Sequence, residues 1–83
     1  MRKEMVVQLA GGLEARPIAV LVQVASQFES SIYLEADEKR VNAKSIMGMM
    51  TLSVRSGDEV VVITEGNDEA EAAKEIETYL INQ

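Results

Sequence analysis

The amino-acid sequence predicts an α+β fold, a single antiparallel sheet with helices packed on one face. The expected element order is strand, helix, strand, strand, helix, strand, helix. Three observations carry this expectation. Apolar residues alternate with polar ones near residues 4 to 9 and 32 to 35, the period of a half-buried strand. They recur at helical spacing after Arg16 and after Asp68. Short breakers, among them Ala10-Gly11-Gly12 and Ser56-Gly57-Asp58, separate these stretches. Alternating strands and helices joined by short links suit one sheet with one covered face. With 83 residues, a single domain over 1–83 is the expected organisation, and no repeat, linker or low-complexity segment interrupts it.

Strand one is expected over residues 4 to 9, with Met5, Val7 and Leu9 on its inner face. The link Ala10-Gly11-Gly12 then allows unusual backbone angles and makes a hinge. Helix one follows at about Arg16. Pro17 suits its first turn, where a missing N–H costs nothing, and Ile18, Leu21, Val24 or Ala25, and Phe28 form its apolar stripe. Ile32 and Leu34 alternate with Tyr33 and Glu35 in strand two, and Asp37-Glu38 turns the chain into a short third strand near Arg40 to Asn42. A short helix from Ser45 is expected to reach about Ser53. Val60 to Ile63 is the clearest strand. Asn67 or Asp68 caps the last helix, whose first turn carries Asp68, Glu69 and Glu71, the sign that its dipole favours. Ala72 or Ala73, Ile76 and Leu80 are its buried stripe.

Composition narrows the function. There are no cysteines, so disulfides and thiol chemistry are absent and a reducing cytoplasm is compatible. There are no histidines either, which removes most general acid–base catalysis, nearly all zinc sites and any phosphohistidine. No enzymatic activity, cofactor or metal site is expected. A net charge of -6, from 14 acidic and 8 basic residues, repels a phosphate backbone and opposes direct nucleic-acid binding. The longest apolar run, Ile18 to Val22, is far below the ~20 residues that span a membrane, and the start of the chain lacks a signal-peptide apolar region. A cytoplasmic protein with protein partners is the expectation.

The densest stretch is Asn42-Ala43-Lys44-Ser45-Ile46-Met47-Gly48-Met49-Met50. Ser45 stands just ahead of an apolar run, the N-cap position, where its hydroxyl accepts a bond from an orphan backbone N–H. A plain cap explains that serine. Yet Ile46, Met47, Met49 and Met50 are too many large apolar side chains for a short helix to bury on one stripe. Some should face water, forming an apolar patch beside a modifiable serine. One of Ile46, Met47 and Met50 is expected in the core and the others on a docking surface, where methionine adapts to different partners. Lys44 is placed to screen a phosphate on Ser45, or is simply solvated. Arg16 puts a cation in the first turn of a helix, against the dipole. It is expected to meet a carboxylate on a partner, with Glu14 as its local neutraliser, unless both are only surface charges.

Gly12-Leu13-Glu14-Ala15-Arg16-Pro17 resembles the phosphohistidine signature of the HPr family of the bacterial sugar phosphotransferase system, with glutamate where that family has histidine. Ala43-Lys44-Ser45-Ile46-Met47-Gly48 is similar to its regulatory serine motif. Gly57, Glu59, Gly66, Asp68, Glu69 and Ala72 match the pattern around its last strand and helix. The resemblance covers essentially the whole chain and implies an open-faced β-sandwich, βαββαβα, with four antiparallel strands in spatial order one, four, two, three under three helices. A histidine-free member with an intact serine motif looks like the catabolite repression branch.

That branch implies phosphorylation of Ser45 by the bifunctional HPr kinase/phosphorylase. Binding to the catabolite control protein, a lac-repressor-type transcription factor, would follow. This chain would then be a corepressor that touches no bases, with Arg16, Lys44, Ser45, Ile46, Met47 and Met50 as its contacts. A phosphocarrier in sugar uptake is the family's usual activity, which the missing histidine at position 14 opposes. Modulation of a central-carbon metabolic enzyme is the other alternative. Exchange of strand one about Ala10-Gly11-Gly12 is a route to a homodimer.

Overall fold

The computed structural model describes residues 1–81; the last two residues of the expected 1–83 domain lie outside that range. Seven elements follow the expected order: β1 Arg2–Val6, α1 Ala15–Ser26, β2 Ser31–Ala36, β3 Lys39–Asn42, α2 Ile46–Met49, β4 Glu59–Glu65 and α3 Glu69–Ile81. The strands form a four-stranded sheet in the order β1-β4-β2-β3, with every neighbouring pair antiparallel. This is the predicted topology.

Strand periodicity divides the sheet into two faces. Met5, Ile32, Leu34, Ala36, Val60, Val62 and Thr64 lie on the covered face and are buried. The apolar ones meet Ile18, Leu21, Val22 and Ala25 of α1, Met49 of α2, and Ala72, Ile76 and Leu80 of α3 in one apolar core. The opposite face is more polar. There Arg2 pairs with Glu35 at 3.6 Å and the Arg40 guanidinium lies 4.4 Å from the centre of the Tyr33 ring.

β1 ends at Val6, earlier than the apolar alternation suggests, although Met5, Val7 and Leu9 are all buried as expected. Beyond Val6 the ladder gives way to other partners. The Val7 N–H donates to the Asp58 carbonyl at 2.9 Å, the Gly57 N–H donates to the Val7 carbonyl at 2.7 Å, and the Gln8 N–H donates to Leu80 at the end of α3. Inward side chains therefore continue where strand pairing has stopped. The turn between β2 and β3 places Asp37 and Glu38 at φ 51° and 64°. Two left-handed residues make the tight hairpin turn that matches strand twist, a conformation usually given to Asn-Gly.

α2 is only four residues long and does not reach Ser53. The Thr51 and Leu52 N–H groups bond to the carbonyls three residues back, Gly48 and Met49. In addition the Thr51 hydroxyl donates to the Gly48 carbonyl at 2.7 Å, so the last turn tightens and closes. Asp68 precedes α3, and its carbonyl accepts from the Ala72 N–H, but its carboxylate serves another segment. It accepts from the Glu29 and Ser30 N–H groups, both at 3.0 Å, and from the Ser30 hydroxyl. These three bonds hold its carboxyl below the usual carboxylate range, the Ser30 hydroxyl acting most strongly. The bridge clamps the link between α1 and β2 to the start of α3.

Candidate functional site: the serine-capped helix α2

Ser45 has extended backbone angles, φ -112° and ψ 114°, and its hydroxyl oxygen accepts from the Gly48 N–H at 3.1 Å. The predicted N-cap is thus formed. What delivers the serine to this position is Asn42, which the sequence reading passed over. Its side-chain oxygen accepts from the Lys44 N–H at 2.8 Å and its carbonyl accepts from the Ser45 N–H at 3.0 Å. An asparagine bonding the backbone two residues on is a turn former. That spacing was the available signal. Ala43, between them, is buried, and its N–H donates to the Ile32 carbonyl at 2.9 Å, so the loop is stitched to β2.

Around the hydroxyl, Ile46, Met47 and Met50 are all exposed, whereas Met49 is fully buried. The expectation that one of Ile46, Met47 and Met50 enters the core is therefore corrected. One turn of helix offers a single inward direction, and Met49 takes it. The three others form a contiguous apolar surface beside Ser45, because residues 46 and 50, and 47 and 50, are neighbours at helical spacing.

In the unmodified chain Lys44 already has a partner other than Ser45. Its ammonium donates to the Phe28 carbonyl at 2.6 Å, tying the loop before α2 to the link between α1 and β2. Glu14 and Arg16 lie at the start of α1, where Glu14 is the N-cap residue without a side-chain cap bond. Both are exposed. Among the described residues no ion pair joins them, so Glu14 does not neutralise Arg16, and neither is bonded to the Ser45 cluster. Two charges next to opposite ends of Ala15 each remain available to an outside group.

Gly12 sets the loop that presents Glu14. At φ +73° an added Cβ would lie 2.4 Å from the Val54 carbonyl oxygen and 2.7 Å from Arg55 Cα. Beside it the Leu13 N–H donates to the Val54 carbonyl at 2.9 Å. Such a close backbone approach requires glycine.

A family model described as the PTS HPr component phosphorylation site matches residues 1–82. The chain belongs to the HPr family. Among curated relatives, the HPr-like protein Crh of Halalkalibacterium halodurans is 49% identical over 80 residues, covering 96% of this chain and 95% of that protein. The HPr-like protein Crh of Bacillus subtilis is 48% identical, covering 96% and 94%. Among solved structures, a phosphocarrier protein HPr from Bacillus anthracis superposes with a TM-score of 0.93 at 44% identity, covering 96% of this chain and 95% of that one. The crystal structure of Bacillus subtilis Crh, described as a catabolite repression protein and as a dimer with a swapping domain, gives a TM-score of 0.77 at 49% identity, covering 93% and 88%. The four-stranded antiparallel sheet with three helices is the fold of these HPr neighbours.

Proposed function

We propose that this chain is a serine-phosphorylated regulatory protein of carbon catabolite repression. HPr kinase/phosphorylase phosphorylates Ser45, and the modified chain is a corepressor of the catabolite control protein in the cytoplasm. One observation carries this reading above the others: the Ser45 hydroxyl at the N-cap of α2 stands beside an exposed apolar surface of Ile46, Met47 and Met50. Position 14, where a phosphocarrier needs an imidazole, is a glutamate, and the sequence contains no histidine. The similarity to relatives named HPr-like protein Crh points the same way.

In the reaction the Ser45 hydroxyl oxygen forms a bond to the γ-phosphorus of ATP, its proton passes to a base on the kinase, and ADP departs. The ester adds about 1.5–2 negative charges and strong acceptor oxygens. It suits a basic pocket on the repressor, Arg16 meets an acidic group beside it, and the apolar trio supplies contact area. Lys44 contributes by anchoring the presenting loop. The chain itself catalyses nothing and contacts no DNA.

Mass spectrometry tests the reading. Kinase with ATP adds one phosphoryl group, at Ser45, whereas enzyme I with phosphoenolpyruvate adds none. An acid-labile phosphate transferred from enzyme I would refute the assignment.

A homodimer by exchange of β1 belongs to the same proposal. Among the described residues β1 is an edge strand that pairs only with β4, and it leaves through Gly11 and Gly12, both at positive φ. The swapping dimer of Bacillus subtilis Crh supports it. Light scattering that finds only monomer up to millimolar concentration would exclude it.

A further inference from the structure

The five methionines divide sharply by exposure. Met47 is 82% exposed and Met50 57%, whereas Met49 is at 0% and Met5 at 7%. With no cysteine in the sequence, no thiol competes for an oxidant, and the thioethers are its only sulfur groups. Met47 and Met50 stand three residues apart, next to Ser45 and Ile46, on the same short helix. Neither belongs to the core cluster. Chemistry at their sulfur atoms therefore changes the surface and leaves the packing alone.

We propose that Met47 and Met50 are a peroxide-sensitive pair whose oxidation closes the Ser45 surface to apolar partners. The inference rests on the reading of that surface as a docking site. A methionine sulfur lone pair attacks one oxygen of hydrogen peroxide. The S–O bond forms as the O–O bond breaks, and the departing oxygen takes up the protons as water. Sulfur is oxidised from thioether to sulfoxide and the peroxide is reduced. The product is a polar group where an apolar one stood, and burying its oxygen against a partner without a donor is unfavourable. Phosphorylation opens the surface to a basic pocket; oxidation withdraws the apolar half of the same contact. Met49 and Met5 are spared because their sulfurs are shielded.

Peptide mapping after limited hydrogen peroxide treatment should find Met47 and Met50 oxidised at least about tenfold faster than Met49. Calorimetry with Ser45-phosphorylated protein and the catabolite control protein should then show binding weakened about tenfold or more after oxidation, as expected for loss of two apolar contacts. Methionine sulfoxide reductase should restore it. A Met47→Leu, Met50→Leu double variant, whatever its starting affinity, should keep that affinity through peroxide treatment. Met1, which also oxidises because it is 50% exposed, remains in the variant and controls for effects elsewhere. Equal oxidation of Met49 overturns the proposal, as does oxidised protein binding within about twofold of untreated protein, or a leucine variant that loses affinity equally. Failure of the unoxidised phosphoprotein to bind the repressor instead overturns the proposed function, and the docking half of this inference with it.

Discussion

Alanine at Gly12 and alanine at Gly11 separate a steric cost from a conformational one. Both glycines have left-handed backbone angles, φ +73° and +80°, where an L-residue costs roughly 1–2 kcal/mol. The surroundings differ. At Gly11 the nearest atom to an added Cβ is the Glu14 carboxylate at 3.7 Å, an ordinary contact, whereas at Gly12 the Cβ would meet the Val54 carbonyl at 2.4 Å. That obstacle is backbone and cannot rotate away, so the loop must move, at the ~1–3 kcal/mol typical of overpacking. Gly11→Ala should therefore destabilise by ~1–2 kcal/mol and Gly12→Ala by ~2–5 kcal/mol. For a domain of this size each kcal/mol lowers Tm by about 4–8 °C. Urea unfolding of the two variants beside the parent measures the difference, which should appear in the midpoint at constant slope. Equal destabilisation, within about 0.5 kcal/mol, would show that the close approach to residues 54 and 55 plays no part.

Ser45→Ala removes both the phosphate acceptor and the cap, so it should abolish kinase labelling and lower stability by ~1 kcal/mol, read by labelling and denaturation. Met47→Ala should change stability by less than about 0.5 kcal/mol yet weaken repressor binding by the phosphoprotein with little change in salt dependence, because its contribution is apolar. Asp68 has a lowered carboxyl pKa in the folded chain, so its contribution is complete above the unfolded value near 3.8 and fades as pH falls through the folded one. Asp68→Asn should flatten the acid limb of a stability–pH curve in that range. Glu38→Gly relieves a left-handed glutamate at φ 64° and should raise stability by up to ~1 kcal/mol, the strain removed being partly offset by unfolded-state entropy; a lower melting temperature would refute this.

Much of the architecture was readable because burial imposes a period. Ile32 and Leu34 alternate with half-buried neighbours, and Ile18, Leu21 and Ala25 recur at helical spacing, so strand and helix declare themselves whatever they pack against. Val7 and Leu9 show where that logic overruns: they are buried, but their backbone bonds go to Asp58, Gly57 and Leu80, and periodicity reports burial without reporting the partner. At the site, the Ser45 cap is local and could be foreseen from residues 42 to 50.

The sequence by itself therefore determined the element order, the inward faces, the serine-capped turn, and the absence of imidazole and thiol chemistry. These follow from side-chain chemistry and short-range geometry alone. Only the tertiary structure decided that Met49 goes inward while Ile46, Met47 and Met50 stay out, that Lys44 reaches back to the Phe28 carbonyl, and that Asp68 serves Ser30. Each of these depends on a neighbour distant along the chain: a core with room for one side chain from α2, a carbonyl in the link after α1, and a buried hydroxyl that needs an acceptor. Such partners are brought within bonding distance by the fold, and no local spacing encodes them.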